Sequence, residues 1–287
     1  AELFYADQGG LVYQPMIGLH RDVAEIDFIS MYPSLMVHFN ISPETIGSSV
    51  GEADKIPQIN MYIDRSAPGL IPQTLQPLLE KRVRLKHLIA DLPAWHPEVK
   101  RYRAGAAAHK WLLVTCFGYL GYKNARFGRI EAHQAVTAYG RDVLLQAKEM
   151  AEEHGFDVLH LYVDGLWVNK KGAASRADFQ PLLDEISQQT GLPIALDGIY
   201  RWVAFLPSRG NDRVPVANRY FGIFQDGTIK VRGIEARRLD TPPFIANMQM
   251  EMLACLAKAV DMDGVASQLP SALGVLRRCW RDLGAGR

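Results

Sequence analysis

Hydrophobic positions in the middle of the chain recur at the spacing of an α-helix. The apolar stripe of segment 73–90 consists of Leu75, Leu78, Leu79, Leu85, Leu88 and Ile89. This spacing predicts a helix over 73–90. Pro93 and Pro97 are expected to end that helix, and an alanine-rich helix is predicted from 103 to 115. The two predicted helices form an antiparallel hairpin joined by a short loop.

The rest of the pattern mixes strands with helices. Further helices are predicted over 131–153, 176–190 and 244–287, the last of them with breaks. Short strands are predicted within 11–29, interrupted by Pro15, Gly18 and the polar cluster His20-Arg21-Asp22. Strands are also predicted over 199–206 and 216–236, with a turn at Asp226-Gly227. Because the elements do not alternate as βαβ units, the order predicts an α+β fold.

Composition limits the classes of protein that the chain can represent. Its 287 residues predict two or three subdomains, and 48% apolar with 22% charged residues is an ordinary globular balance. Three cysteines without metal-ligand spacing favour a reducing compartment. No N-terminal signal pattern is present, and the longest apolar run, 111–122, is too short to span a bilayer. We therefore expect a cytoplasmic protein with no membrane partner, associated with the nucleoid if it is prokaryotic.

Charge is distributed unevenly, although the net charge is only +1. Between 81 and 110 the two acidic residues Asp91 and Glu98 are outnumbered by eight basic ones, namely Lys81, Arg82, Arg84, Lys86, Lys100, Arg101, Arg103 and Lys110. From charge alone, a solvated helical face is the favoured interpretation.

Two segments carry candidate chemistry. The stretch LHLYVDGLWV, 159–168, places Asp164 before a glycine between two β-rich runs, which predicts a hairpin whose tip bears a carboxylate. That Asp either makes the turn or binds a metal ion. In DFISMYPSLMVHFNISPET, 27–45, Asp27 ends a strand and Pro33 suits the first position of a helix. A carboxylate followed by free backbone N–H groups can hold a metal and phosphate oxygens, but a strand-to-helix connection with a capping serine has the same pattern.

The motif D-x-x-S-x-Y-P-S followed by N-I-S-P-E-T resembles the first palm motif of the family B DNA polymerases. The similarity continues in the order of that family through LIPQTLQPLLEKRVRLKHLI (70–89), KWLLVTCFGYLGYKNARFG (110–128), QAVTAYGRDVL (134–144) and ANRYFGIFQDGTIKVRGIEARRLD (217–240). It covers roughly 10–260, and several motifs in sequence are more specific than one. The resemblance implies a palm, an antiparallel sheet with packed helices, over 1–69 and 119–240. It also implies a helical-hairpin fingers insertion over 70–118 and the start of a helical thumb over 241–287.

The third motif of the family usually reads Y-x-D-T-D, and its second Asp binds metal. Aligning without a gap from Gly155 to Gly172 places Asp164 on that second Asp, with Tyr162 and Val163 replacing the first Asp and the Thr. Aligning Tyr with Tyr would instead leave Leu166 at the ligand position. We adopt the gapless register. YVDG also resembles the Y-x-D-D of reverse transcriptases, which the Y-P-S context disfavours.

The resemblance implies roles for individual residues. Asp27 and Asp164 are expected to be catalytic and to hold two Mg²⁺ ions, for which Mn²⁺ could substitute, together with the backbone carbonyl of Phe28. Backbone amides of Ser30, Met31 and Tyr32 and the cations Arg82, Lys86 and Lys110 are expected to bind the nucleotide. Tyr32 also matches the steric gate against ribose. Expected contacts to DNA come from Tyr119, Arg219, Tyr220, Arg232 and Arg238. The second fingers motif departs from the family pattern at Val114 and Phe117.

The implied function is DNA-templated DNA synthesis from a primer 3′-hydroxyl, with primer-template DNA and deoxynucleoside triphosphates as substrates. Too few residues precede Asp27 to form a proofreading exonuclease, so we expect no proofreading in this chain, and a role in repair or lesion bypass is one interpretation. Accessory replication or repair proteins are expected partners. A catalytically silent polymerase-like module that binds DNA or a partner is the alternative, and a reverse-transcriptase-like enzyme is the third.

Overall fold

The computed structural model describes residues 8–47, 53–90, 92–93 and 95–285. Its strands in chain order are β1 (Val12–Tyr13), β2 (Gly18–Phe28), β3 (Ile46–Gly47), β4 (Ala53–Lys55), β5 (Tyr62–Asp64), β6 (Asp157–Tyr162), β7 (Gly165–Asn169), β8 (Ile194–Pro207), β9 (Pro215–Phe224) and β10 (Ile229–Arg232). Its α-helices are α1 (Met31–His38), α2 (Leu70–Ala90), α3 (Pro97–Leu120), α4 (Ile130–Glu153), α5 (Arg176–Thr190), α6 (Pro243–Leu256) and α7 (Met262–Gly284).

The chain divides into two compact units. Unit 1 consists of Ala1–Leu11, Asp27–Met150 and Leu182–Ala195, and unit 2 consists of Val12–Ile26, Ala151–Pro181 and Leu196–Arg287. The mixture of an antiparallel sheet with separate helices confirms the predicted α+β class. The assignment of four segments to palm, fingers and thumb stays a prediction.

Unit 1 is mainly helical and contains the predicted helical hairpin. Helices α2 and α3 pack against each other, and α1 packs against both. A small sheet with the antiparallel order β3-β5-β4 precedes the hairpin. Helix α2 begins at Leu70, a turn earlier than predicted. The prediction for Pro97 was wrong: Pro97 is the first residue of α3, where a proline costs no intrahelical hydrogen bond, and the His96 side chain accepts a bond from the Glu98 amide.

Unit 2 is built on a sheet with the strand order β1-β6-β7-β2-β8-β9-β10. The pairs β1–β6, β6–β7, β8–β9 and β9–β10 are antiparallel. The expected interruption of 11–29 at the His20 cluster was wrong, because β2 runs through it for 11 residues. A left-handed residue, Asp22 with φ 51°, lies within the strand, so the chain accommodates this polar cluster by a local irregularity.

The core of unit 2 combines apolar packing with one buried charge network. Its main cluster consists of Val23, Leu159, Trp167, Tyr200, Val203, Phe205 and Tyr220. The buried carboxylate of Glu25 accepts hydrogen bonds from the Tyr200 hydroxyl at 2.6 Å and from Lys230 Nζ at 2.7 Å. Burial, and secondly the Glu25 charge, raise the pKa of Tyr200 far above its usual range. These contacts join β2, β8 and β10 by groups that are costly to separate.

None of the helices in the described residues is long and apolar enough to cross a bilayer.

Candidate active site

The first candidate segment, residues 27–32, is a connection from strand to helix that we call the Asp27 turn. Asp27 lies in β2, Phe28 ends that strand, and α1 begins at Met31. The amide of Ile29 donates to the Pro193 carbonyl at 2.8 Å. Because α1 begins at Met31, Pro33 is its third residue and not its first, still within the turn where a proline displaces no helical bond. The predicted strand–turn–helix order is confirmed.

Ser30 precedes α1 with φ 52°, a left-handed conformation that is uncommon outside glycine. It occupies the N-cap position, yet its side chain makes no capping hydrogen bond. The next turn is braced by Ser34, whose amide donates to the Ser30 carbonyl and whose hydroxyl donates to the Ile29 carbonyl, both at 2.9 Å. The sequence suggested a capping serine, and the structure gives its hydroxyl another partner.

That partner is Arg82 of α2. Arg82 is 7% exposed, its Nε donates to Ser30 Oγ at 2.7 Å, and its Nη1 donates to the Ala106 carbonyl of α3. Burial lowers the pKa of Arg82. The structure therefore brings one predicted triphosphate ligand onto the Asp27 turn. Of the other two predicted cations, Lys86 is half-buried and Lys110 is exposed.

Tyr32, the predicted steric gate, is half-buried in unit 1 against aromatic neighbours. Its ring centroid lies 4.3 Å from that of Phe117, which stacks on His133 at 4.1 Å. Gly140 of α4 makes room for it, since a Cβ there would lie 3.3 Å from the Tyr32 ring. Phe117, a departure from the family pattern, thus packs beside the predicted steric gate.

A polar brace that the sequence did not indicate as such follows α1. Asn40 donates from Nδ2 to the carbonyls of Asp64 and Ala67, both at 2.9 Å, and its Oδ1 accepts from the Gly69 amide at 2.7 Å. The Glu44 carboxylate accepts from the Leu70 amide, the first of α2. The N-I-S-P-E-T segment therefore fixes the start of α2 relative to α1. Its match to a family motif was the signal for its importance.

The second candidate segment is the hairpin of β6 and β7, which we call the Asp164 hairpin. Tyr162 pairs with Gly165, so the two loop residues are Val163 and Asp164. The predicted tip is confirmed, but Gly165 lies in β7 and not in the loop. Val163 has φ 59°, and the Asp164 amide donates to the Tyr162 carbonyl at 2.7 Å. A β-branched residue in this region is a genuine outlier, of the kind that clusters at functional sites.

The hairpin also bears on the choice between the two alignments. Leu166, the alternative ligand position, is fully buried in β7 and pairs with Leu161. Asp164 is half-exposed at the tip. Its position at the strand end suits a ligand that must reach an ion, whereas the Leu166 side chain belongs to the core.

The predicted DNA contacts divide into accessible and buried residues. Tyr119 on α3 is 49% exposed, and Arg238 is exposed and paired with Asp240. Arg219 and Arg232 are half-buried and donate to backbone carbonyls. Tyr220 is only 1% exposed, with its hydroxyl 3.5 Å from Glu25. The prediction that Tyr220 contacts DNA directly was therefore wrong, because its side chain is part of the core of unit 2.

A divalent ion such as Mg²⁺ requires several oxygen donors. The described residues contain no cluster of three or more His, Cys, Asp or Glu side chains that could hold a metal. The carboxylates of Asp27 and Asp164 and the Phe28 carbonyl are hard oxygen donors, which Mg²⁺ prefers, and Mg²⁺ is commonly bound by one or two carboxylates plus substrate phosphates and water. Each of these groups is therefore of the donor type that suits Mg²⁺.

Comparison with known proteins assigns the chain to a class. The family model described as DNA polymerase family B matches residues 4–171. The chain is 32% identical over 251 residues to a DNA polymerase of Archaeoglobus fulgidus, covering 88% of this chain and 31% of that protein. It is 36% identical over 219 residues to DNA polymerase 2 of Saccharolobus solfataricus, covering 76% and 31%.

A solved structure agrees with these relatives. The family B DNA polymerase from Pyrobaculum calidifontis matches 97% of this chain and 34% of its own, with a TM-score of 0.69 and 26% identity. The chain belongs to the family B DNA polymerases. It spans 31 to 34% of the length of these relatives.

Proposed function

We propose that the chain forms the catalytic core of a DNA-templated DNA polymerase, which adds deoxynucleotides to a primer 3′-hydroxyl. The observation that carries this proposal is the contact of Arg82 with Ser30. It joins a helical hairpin rich in cations to a turn that follows a carboxylate. Membership of family B supports the same activity. Nucleotidyl transfer needs such a combination of carboxylates and phosphate-binding cations.

Asp27, Asp164 and the Phe28 carbonyl would hold two Mg²⁺ ions, with Mn²⁺ as a substitute. Asp27 lies in β2, and Asp164 lies in the loop between β6 and β7. When bound, the ions would lower the pKa of the primer hydroxyl and neutralise charge on the triphosphate. The strained Val163 would hold Asp164 at the hairpin tip.

The nucleotide would be bound by the amides of Ser30, Met31 and Tyr32 and by the three cations Arg82, Lys86 and Lys110. Charge-assisted hydrogen bonds to phosphate are roughly twice as strong as neutral ones. The Tyr32 ring, supported by Phe117 at 4.3 Å, would exclude a ribose 2′-hydroxyl. Tyr32→Ala is therefore expected to raise the use of ribonucleotides relative to deoxynucleotides, measured as the ratio of kcat/KM.

Primer-template DNA would contact Tyr119, Arg219, Arg232 and Arg238. Cations that neutralise backbone phosphates give affinity that falls with salt. The substitutions at Val114 and Phe117 support a specialised role in repair or lesion bypass, in association with accessory proteins, because they alter the fingers motif beside the gate.

The test is primer extension by the full chain on DNA and RNA templates, with Mg²⁺ and with Mn²⁺. Template-directed extension on DNA is expected. DNA binding without extension would favour the silent-module alternative, for which the single carboxylate in YVDG is the specific argument. Preference for an RNA template would favour the reverse-transcriptase-like alternative.

A further inference from the structure

Arg82 carries a charge that the described protein residues do not neutralise. Its guanidinium is buried, and its partners are the neutral oxygens of Ser30 and Ala106, with no carboxylate among its contacts within the described ranges. A buried charge without a counter-ion is unfavourable unless an anion completes the site. Arg82 is thus suited to an anionic ligand, such as the triphosphate of the proposed function.

The two protein acceptors leave most of the guanidinium available. Arginine has five N–H donors in a fixed plane. Ser30 takes the Nε–H and Ala106 takes one Nη1–H. One N–H on Nη1 and both on Nη2 remain, and the plane that holds them is fixed by acceptors on two separate elements, the Asp27 turn and α3.

Ser30 itself has an unusual local arrangement. Serine at an N-cap normally accepts a hydrogen bond from the backbone two or three residues later, which stabilises the helix. Ser30 makes no such capping contact and adopts φ 52°. Its hydroxyl oxygen instead accepts a hydrogen bond from Arg82 Nε. A residue that loses a cap and adopts a strained backbone for one side-chain contact indicates that this contact matters to the site.

We infer that Ser30 is a positioning residue for Arg82, with its hydroxyl fixing the guanidinium plane so that the remaining N–H groups bind the triphosphate. This goes beyond the expected role of Ser30, which was limited to its backbone amide. The inference rests on the proposed function. Fixing a ligand-binding side chain before the ligand arrives reduces the entropy lost on binding.

The test compares Ser30→Gly, Arg82→Ala and the double variant. Glycine accepts a positive φ without strain and serves as an N-cap, so Ser30→Gly removes the hydroxyl while keeping the turn. We expect its KM for dNTP to rise by about tenfold, the scale of one charge-assisted hydrogen bond, without a fall in thermal stability. In the Arg82→Ala background, Ser30→Gly should have little further effect on KM.

Two controls separate positioning from general loosening. Ser34→Ala removes a neighbouring hydroxyl that bonds the Ile29 carbonyl, and it should lower stability while leaving the KM for dNTP unchanged. Lys86→Ala removes another cation of α2, and its effect on KM should multiply with that of Ser30→Gly. Arg82→Lys keeps the charge without the planar fork and should not respond to Ser30→Gly, which provides a second comparison if Arg82→Ala does not fold.

An unchanged KM in Ser30→Gly would overturn the inference, as would effects of Ser30→Gly and Arg82→Ala that multiply. An equal rise of KM in Ser34→Ala would also overturn it, by showing that any loosening of the turn suffices. Calorimetric titration with dNTP distinguishes this failure from failure of the proposed function. A wild-type chain that binds dNTP but extends no primer contradicts the function, whereas loss of dNTP affinity in Ser30→Gly still supports the positioning role.

Discussion

The Asp27 turn and the Asp164 hairpin each contain a carboxylate and a non-glycine residue in the left-handed region. That residue is Ser30 with φ 52° in the first and Val163 with φ 59° in the second. Serine tolerates this conformation better than valine, whose branched Cβ crowds the backbone. Both segments therefore have the same kind of backbone strain, and its free-energy cost is higher at Val163 than at Ser30.

The contacts that hold the two segments differ in sequence range. Ser30 bonds Arg82, 52 residues away, and Ile29 bonds Pro193. The hairpin tip is defined by the pairing of Tyr162 with Gly165 and by the hydrogen bond that the Asp164 amide donates to the Tyr162 carbonyl. The Asp27 turn thus depends on helices packed around it, whereas the hairpin depends on the register of its own strands. Substitutions in the packed helices should therefore affect the Asp27 turn, and substitutions that change the strand register should affect the Asp164 hairpin.

The largest expected effect comes from removing either carboxylate. Asp27→Asn and Asp164→Asn keep the side-chain shape but remove the charge that a metal ligand needs. We expect the kcat of primer extension to fall by at least about a thousandfold for each, the scale of a lost electrostatic contribution to the transition state. The matched control is Asp226→Asn, which alters the other Asp-Gly turn of the same sheet and should extend primers normally. Extension by Asp164→Asn at the wild-type rate would leave Asp27 alone as the candidate ligand.

A smaller effect is expected from the buried network on the strand that leads to Asp27. Glu25→Gln removes the nearer carboxylate partner of Lys230, which is 15% exposed, and leaves Asp197 at 3.5 Å. The free energy of unfolding should fall by about 3 kcal/mol, as for other broken buried pairs. Urea unfolding measures it, with Glu251→Gln as control, since the Glu251–Arg278 pair is about half exposed and should contribute much less. Equal losses of unfolding free energy in the two variants would show that Glu25 does not stabilise β2.

Low pH should destabilise β6, the strand that leads to Asp164. His160 of β6 is fully buried, its Nδ1 bonds the Tyr13 carbonyl, and its Nε2 has no hydrogen-bond partner among the described residues. Burial lowers the pKa of His160 below its ordinary 6.5. The unfolded chain then takes up a proton more readily, so stability is complete above pH 6.5 and falls below it, by up to about 1.4 kcal/mol per pH unit.

His160→Asn, which can keep the Nδ1-type donor, should reduce this slope in urea unfolding between pH 7 and pH 5. His38 is the control, because burial also lowers its pKa but its side chain is exposed and lies in unit 1. A pH slope that survives His160→Asn but disappears in His38→Asn would assign the acid sensitivity to the other unit.

The smallest effect tests the strain at the hairpin tip. Val163→Gly removes a backbone strain that costs about 1–3 kcal/mol. Glycine also gains conformational freedom in the unfolded chain, which offsets part of this gain in stability. We expect a net increase in the free energy of unfolding of about 1 kcal/mol. Val163→Ala retains a Cβ and should gain less. A destabilised Val163→Gly would show that the valine side chain contributes packing that outweighs its strain.

Local patterns in the sequence predicted most of the fold. The apolar stripe of 73–90 lies in α2, and the helix predicted over 131–153 differs from α4 by one residue at its start. The error at Pro97 arose because a proline that cannot continue one helix is favourable as the first residue of the next. The error in β2 arose because a strand in the middle of a sheet can include polar residues such as Arg21 when its neighbours, including Val23, are buried.

The candidate site was less accessible to sequence reasoning. Motif spacing identified Asp27, Tyr32 and Arg82, because their order along the chain follows a known family. It could not indicate that Arg82 bonds the Ser30 hydroxyl, since that contact depends on how α2 packs on the turn. It also assigned Tyr220 to DNA, although alternation along β9 places this side chain in the core. Contacts made by tertiary packing leave no local pattern.

A change of ligand chemistry tests the proposal that Asp164 is a metal ligand despite its reduced motif. Asp164→Cys replaces a hard oxygen by a thiolate, which binds softer metals in preference to Mg²⁺. We predict that Asp164→Cys loses primer extension with Mg²⁺ and regains it with Mn²⁺ or Cd²⁺, while Asp226→Cys behaves as the wild type with each ion. Wild-type extension by Asp164→Cys with Mg²⁺, or inactivity with all three ions while DNA binding persists, would contradict the claim.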